Sequence, residues 1–323
     1  MLDSYGRKIE YMRVSITDRC NLRCRYCIPD GIAKVPMSAI LTYEEITEIC
    51  RAAVSLGISR FKITGGEPFA RLGCTDLIRS IKSIEGTEEV TVTTNGQILH
   101  EYLDELKDIG IDGINISLDT LDPERYTYIT GGGRLENTLR AIELSVDSGI
   151  RTKINCLIQR GFNEDEILDM ADLAFRYGID VRFIELMPIG AGDMSKGVPG
   201  AEILEVLKDK YPDLMPDTSR HGNGPAVYYK RSGSDGAIGF ISAIHGKFCS
   251  SCNRIRLTSQ GLLKPCLYYE NGIDLKPLLA EGEDAVREAM EKAISSKPKE
   301  HHFGRQDETE GRSEHRLMSQ IGG

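Results

Sequence analysis

The chain has 323 residues, of which 40% are hydrophobic and 28% charged, and a formal net charge of −9; this is the balance of an ordinary globular protein. The acidity excludes broad electrostatic binding to nucleic acid or anionic lipid, so an anionic ligand would need a local cluster of Arg and Lys. The opening MLDSYGRKIEYMR lacks the apolar core of a targeting segment, and no run nears the ~18 apolar residues of a membrane span.

A cytoplasmic protein is therefore expected, with neither nucleic acid nor membrane as partner. Thiols stay reduced in that compartment, so nine cysteines point to metal binding or catalysis. Six of them fall into two spaced groups. Cys50, Cys74 and Cys156 read as small buried hydrophobes.

In chain order the strand candidates are RVSIT (13–17), RFKIT (60–64), EVTVTT (89–94), GINISLD (113–119), KINCLI (153–158) and VRFIEL (181–186). Amphipathic runs such as 43–57 and 165–178 lie between them, and each ends in Gly, a frequent helix stop. Such alternation predicts an α/β fold with a parallel sheet. Curled, it forms a partial (β/α)6 TIM-like barrel; a doubly wound open sheet is the alternative. Ligands of such folds sit beyond the C-terminal strand ends. Gly65-Gly66-Glu67-Pro68, Thr93 to Gly96, Ser117 and Met187 fall there.

After Met187 comes a Gly- and Pro-rich loop, then short strand candidates at 226–230, 237–241 and 254–258 and a helix near 283–295. These predict a smaller C-terminal layer. The charged stretch SSKPKEHHFGRQDETEGRSEHR predicts a mobile tail. The expected organisation is a barrel over 1–190, a C-terminal region over 191–300 and a tail over 301–323. GGGR at 131–134 lacks the strand-before, helix-after setting of a phosphate loop and reads as an ordinary loop.

Two cysteine groups carry the chemistry. Cys20, Cys24 and Cys27 form C-x3-C-x2-C just after the first strand. Three thiolates so spaced can wrap one corner of a cubane iron–sulfur cluster. The missing fourth ligand leaves one iron open to a small chelating molecule. Zinc with a distant fourth ligand is the alternative, although zinc sites usually show paired C-x2-C spacing. Tyr26, before the third cysteine, either packs or covers an adenine. Cys249, Cys252 and Cys266 form C-x2-C-x13-C, again with three thiols. Here a zinc ribbon completed by His245 competes more strongly. Arg254 and Arg256 follow at once, and residues two apart in a strand face the same way. Two guanidiniums beside an open iron suit a polyphosphate; without the cysteines they would read as surface residues.

CNLRCRYC resembles the signature of the radical S-adenosylmethionine (SAM) superfamily, and GGEP resembles that superfamily's motif for the SAM amino group. Together with TTNG, NISLD, IELMPIG, CSSCNRIRLTSQGLLKPC and LMSQIGG, these segments make the chain similar, nearly end to end, to the GTP 3′,8-cyclases that open molybdenum cofactor biosynthesis. The resemblance implies two [4Fe–4S] clusters, one on Cys20, Cys24 and Cys27 that cleaves SAM, one on Cys249, Cys252 and Cys266 that binds the guanine edge of GTP. It implies SAM contacts at Tyr26, Gly66, Glu67, Ser117 and Met187. It implies GTP contacts at Arg13, Lys62, Thr93, Lys153, Arg254, Ile255 (by its backbone) and Arg256, with Gly322 and Gly323 as an essential tail that enters the site. Arg13, Arg254, Arg256 and the two glycines are the expected catalytic set. A low-potential electron donor and a homodimer are also implied. The rival within the superfamily is a peptide-modifying enzyme with an auxiliary cluster, and the rival outside it is a zinc-dependent nucleic-acid-binding protein.

Overall fold

The computed structural model describes residues 1–31, 35–303 and 314–322. Its first part repeats strand and helix: β1 (Tyr11–Ser15), α1 (Tyr43–Ser55), β2 (Arg60–Thr64), α2 (Cys74–Lys82), β3 (Glu89–Thr94), α3 (Leu103–Ile109), β4 (Gly113–Ser117), α4 (Pro123–Thr130), α5 (Leu135–Asp147), β5 (Thr152–Cys156), α6 (Ile167–Tyr177) and β6 (Asp180–Ile184). The strands run parallel and neighbour one another in chain order. A doubly wound sheet reverses its strand order partway. This one does not, which leaves the partial barrel.

Local sequence explains the boundaries. Thr42 and Glu45 form a reciprocal capping box that starts α1. Asp122 caps α4 ahead of Pro123, and Gly131, with φ +67°, ends it. A Cβ on Gly131 would meet the Arg23 carbonyl at 2.7 Å, so the glycine-rich loop lies against the first cysteine loop. The RVSIT reading of β1 is displaced by two residues: the strand ends at Ser15, and only the Ile16 amide continues the ladder, donating to Thr64 O at 3.0 Å.

The C-terminal elements are α7 (Gly200–Lys210), β7 (Met215–Asp217), β8 (Val227–Lys230), β9 (Ala237–Ile241), β10 (Arg254–Leu257), β11 (Leu262–Lys264), β12 (Ile273–Asp274), α8 (Glu283–Ser295) and α9 (Met318–Ile321). They do not stack as a separate sheet. β9 joins β6 and β10 joins β1, both in parallel. The order is β12-β11-β10-β1-β2-β3-β4-β5-β6-β9-β8-β7. An open barrel exposes the edges of its first and last strands, and the C-terminal region pairs with both. The tail also differs from its charged composition. Its described part is docked, with Ile321 and Glu314 buried.

Strand alternation separates core from site. Met12 and Val14, Phe61 and Ile63, Val90 and Val92, Ile114 and Ile116, Val181 and Phe183 point outward into the helices. The residues between them face the concave side. Arg13, Lys62, Thr93, Ser117, Lys153, Arg254 and Arg256 all belong to this second set by phase. Ile255, one step out of phase, is buried in the core. Cys50, Cys74 and Cys156 are fully buried, as expected. Among the described residues no helix is long and apolar enough to cross a membrane.

Candidate active site: a chamber between two cysteine triplets

A cavity of about 320 Å³ opens over the C-terminal ends of the strands, and all six clustered cysteines line it. Arg13, Tyr26, Gly66, Thr93, Ser117 and Met187 share its wall, as do Arg254 and Arg256. A second cavity of about 250 Å³ adjoins it deeper in the barrel and holds Lys62 and Lys153. Arg13, Thr93, Asn155 and Arg254 line both.

The first triplet sits on a loop pinned from two sides. Arg23 N donates to Thr130 O and Arg25 N to Ile129 O, tying the loop to α4. Gly66 N donates to Thr17 O at 2.7 Å and Glu67 N to Arg19 O at 2.8 Å. A Cβ on Gly66 would meet Arg19 O at 2.3 Å, and one on Gly65 would meet Thr17 O at 2.5 Å. The glycines of GGEP thus let two backbones touch. Glu67 stands behind them with no exposure. Its oxygens accept from Thr94 Oγ1 (2.8 Å), Asn95 N (2.8 Å) and Phe69 N (3.2 Å). Burial pushes its carboxyl up to about 7 against those bonds. In this arrangement Glu67 braces β2 to β3 and does not face the chamber as the other expected SAM positions do. Tyr26 reaches across to Asp119, its hydroxyl donating at 2.8 Å.

Cys thiolates are the ligands of iron–sulfur clusters; three of them would hold three irons of a cubane and leave the fourth open, and both triplets line the chamber wall. Burial, and then the neighbouring Cys20, push the Cys27 thiol up to about 12. Bound iron reverses that balance, because a coordinating thiol is deprotonated outright. The second triplet has a different setting. Burial raises Cys252, but the charges of Arg254 and Lys297, together with hydrogen bonds from Arg254, outweigh it and bring the thiol down to about 6. His245, the candidate fourth zinc ligand, is mostly exposed and turns its Nδ1 to Glu185 Oε1 at 3.2 Å. The three-thiol set of each group fits a cubane cluster.

The concave face is strongly cationic. Arg256, Arg13 and Lys62 are register neighbours across β10, β1 and β2. Burial, then Arg182, Arg13 and Lys153, depress the Lys62 ammonium well below its usual range. Lys153 is pushed down to about 8 by burial, against the pull of Asp180 at 2.5 Å. Sequence reasoning missed Arg182 and Arg151, which line the second cavity. Arg182 donates to Asn115 Oδ1. A basic residue in a strand reads as solvent-facing, yet Arg182 is in phase with Ile184 and out of phase with the core residues Val181 and Phe183. That phase was the available signal.

The tail forms part of the chamber wall. Met318 and Ser319 line it, and Ile321 packs with Ile189, Phe303 and Met187. Gly322, at φ +75°, lies against Thr64 and Ser15; a Cβ there would meet Thr64 Oγ1 at 2.8 Å. Its carbonyl accepts from Arg256 Nη1 at 2.6 Å. Gly323 lies outside the described residues.

Two family profiles match the chain: the Radical SAM superfamily over residues 14–174 and Molybdenum Cofactor Synthesis C over residues 179–303. Among curated relatives, a GTP 3′,8-cyclase of Clostridium perfringens (strain SM101 / Type A) is 43% identical over 326 residues, covering 100% of both chains. One from Pelotomaculum thermopropionicum is 43% identical over 330 residues, again with complete coverage. Among solved structures, Streptococcus suis SuiB bound to S-adenosylmethionine superposes with a TM-score of 0.66 at 16% identity, covering 90% of this chain and 68% of that one. This last likeness is one of fold.

Proposed function

The chain belongs to the GTP 3′,8-cyclase family of the radical SAM superfamily, and from that premise we propose that its chamber holds SAM and GTP face to face, one at each cysteine triplet. It is an enzyme of molybdenum cofactor biosynthesis, and its reaction converts GTP to 3′,8-cyclo-7,8-dihydro-GTP. Its cofactors are SAM and two [4Fe–4S] clusters. In this reading Cys20, Cys24 and Cys27 hold one cluster, and Cys249, Cys252 and Cys266 hold the other.

The observation that carries the reading is the shared chamber: both triplets line one cavity, and the cationic cavity opens from it. A cluster on Cys20, Cys24 and Cys27, with SAM at its open iron, would supply hydrogen-abstraction chemistry directed at the ribose 3′ carbon. The protein's own residues do the placing. Tyr26, Gly66, Ser117 and Met187 line the SAM side. Arg13, Lys62 and Lys153, aided by Thr93 and Arg182, form a basin for the triphosphate, where charge-assisted hydrogen bonds are the strong ones. Arg254 and Arg256, with the backbone of Ile255, run from that basin to the second triplet. An acidic protein thereby gathers its cations at one anionic ligand. The docked tail excludes water from the radical.

The reading includes a low-potential electron donor, a homodimer and a cytoplasmic setting that keeps the thiols reduced. The test is turnover of GTP deuterated at the 3′ carbon by anaerobically reconstituted enzyme with SAM and a reductant. We expect deuterium in 5′-deoxyadenosine and a GTP-derived cyclised product. SAM cleavage without label transfer, and without a GTP-derived product, would overturn it and return the peptide-modifying alternative.

A further inference from the structure

The docked tail is held by two side chains that are neighbours in the sheet. Arg256 on β10 and Lys264 on β11 are direct partners across the antiparallel ladder, so they share a face. Arg256 reaches Gly322 O. Lys264 pairs with Glu314, and both side chains have no exposure. Around this pair the tail is fixed by backbone. Glu314 N donates to Tyr268 O at 2.7 Å, and Arg316 Nη2 donates to Glu270 O at 3.0 Å. The Arg316 guanidinium also lies 3.7 Å from the Glu314 carboxylate.

A buried ion pair is a poor way to add stability, because desolvation offsets the attraction. Its best-attested use is to specify a register. If the tail slipped by one residue, Lys264 would be left buried without its counter-charge, while Glu314 would keep only Arg316, which moves with it. An apolar contact would tolerate such a slip. We propose that Lys264 is a positioning residue: its pair with Glu314 sets the register of the tail, so that Gly322 meets Arg256 over the chamber. The inference deepens the reading above and rests on it for the effect on turnover, but not for the docking itself.

Hydrogen exchange on the full-length, cluster-loaded enzyme reads the docking directly. In Glu314→Ala, a change in the tail and not in the sheet, amides 319–322 should exchange about 100-fold faster, because removing one partner strands the other buried charge. Lys264→Met should do the same, while β1 to β6 keep their protection. The exchanged pair Lys264→Glu/Glu314→Lys should recover protection relative to either single change. In turnover, both single variants should still cleave SAM but form less cyclised product per SAM consumed. Unchanged protection of 319–322 in Glu314→Ala would overturn the proposal. So would faster exchange spread across β1 to β6, which assigns the pair to overall stability, or faster tail exchange with an unchanged product ratio. Should the GTP reading itself fail, the wild type would give no GTP product, and the exchange result would still stand.

Discussion

Arg256 donates to the carbonyl of Gly322 across 2.6 Å, linking a sheet strand to the end of the tail. The same strand places Arg256 beside Arg13 and, one strand further, Lys62. Burial is the main reason why Arg256 and Lys62 are both depressed. Cations so crowded and desolvated are complementary to a polyanion, and a triphosphate supplies one.

Replacing Arg254 or Arg256 by Ala removes a charge-assisted contact. Such bonds contribute about 1.5–3 kcal/mol, so kcat/KM for GTP should fall about 10- to 100-fold. Cleavage of SAM to 5′-deoxyadenosine should persist. Steady-state kinetics of both variants check this, and unchanged GTP turnover in both sinks the assignment.

Gly322→Ala should abolish most product formation while both clusters remain. The backbone at φ +75° disfavours a side chain, and the added Cβ would press on Thr64 at 2.8 Å and Ser15 at 3.0 Å. Product yield and iron content, measured on one preparation, separate this from loss of a cluster.

Gly66→Ala should act on the other side of the chamber. Its Cβ would meet the Arg19 carbonyl at 2.3 Å, a backbone atom that cannot swing aside. The cysteine loop must then shift, and the first cluster should be lost selectively. Iron should drop by about four per chain, with the second triplet still loaded.

Lys153 gives the pH dependence a sign. Its ammonium is held down at about 8. Below that pH it is charged and attracts phosphate; above it, neutral. Thus kcat/KM for GTP should fall as pH rises through about 8. A bound triphosphate favours the charged form, so kcat at saturating GTP should fall only at higher pH. Lys153→Arg keeps the charge and should move the kcat/KM limb upward; an unmoved limb assigns it elsewhere.

The strands β1 to β6 and their parallel class were legible because hydrophobic alternation is local, whereas their order, which decides barrel against doubly wound sheet, was not. The phase that buries Met12 and Val14 turns Arg13 inward, but Arg13, Lys62 and Lys153 were expected from the family resemblance, and Arg182, in the same phase, was missed. The pairing of β9 and β10 with the barrel edges was not legible. Those contacts join residues far apart in sequence, and nothing in RIRLT names its neighbour. The expectation of a mobile tail falls in part on 304–313, outside the described residues; its described end, 314–322, is docked, with Glu314 against Lys264 in the interior. Glu67 illustrates a third limit. Its residue type suits an ammonium, yet the fold commits its oxygens to Thr94 and to backbone amides.

The central claim is two thiolate-ligated clusters facing one chamber, and iron with acid-labile sulfide per chain tests it most directly. The comparison is wild type against a Cys249→Ala/Cys252→Ala/Cys266→Ala variant, both reconstituted anaerobically. The account predicts about eight irons falling to about four, with sulfide falling in step. About four irons in both proteins, with zinc lost from the variant, would contradict it and make the second triplet a structural zinc site.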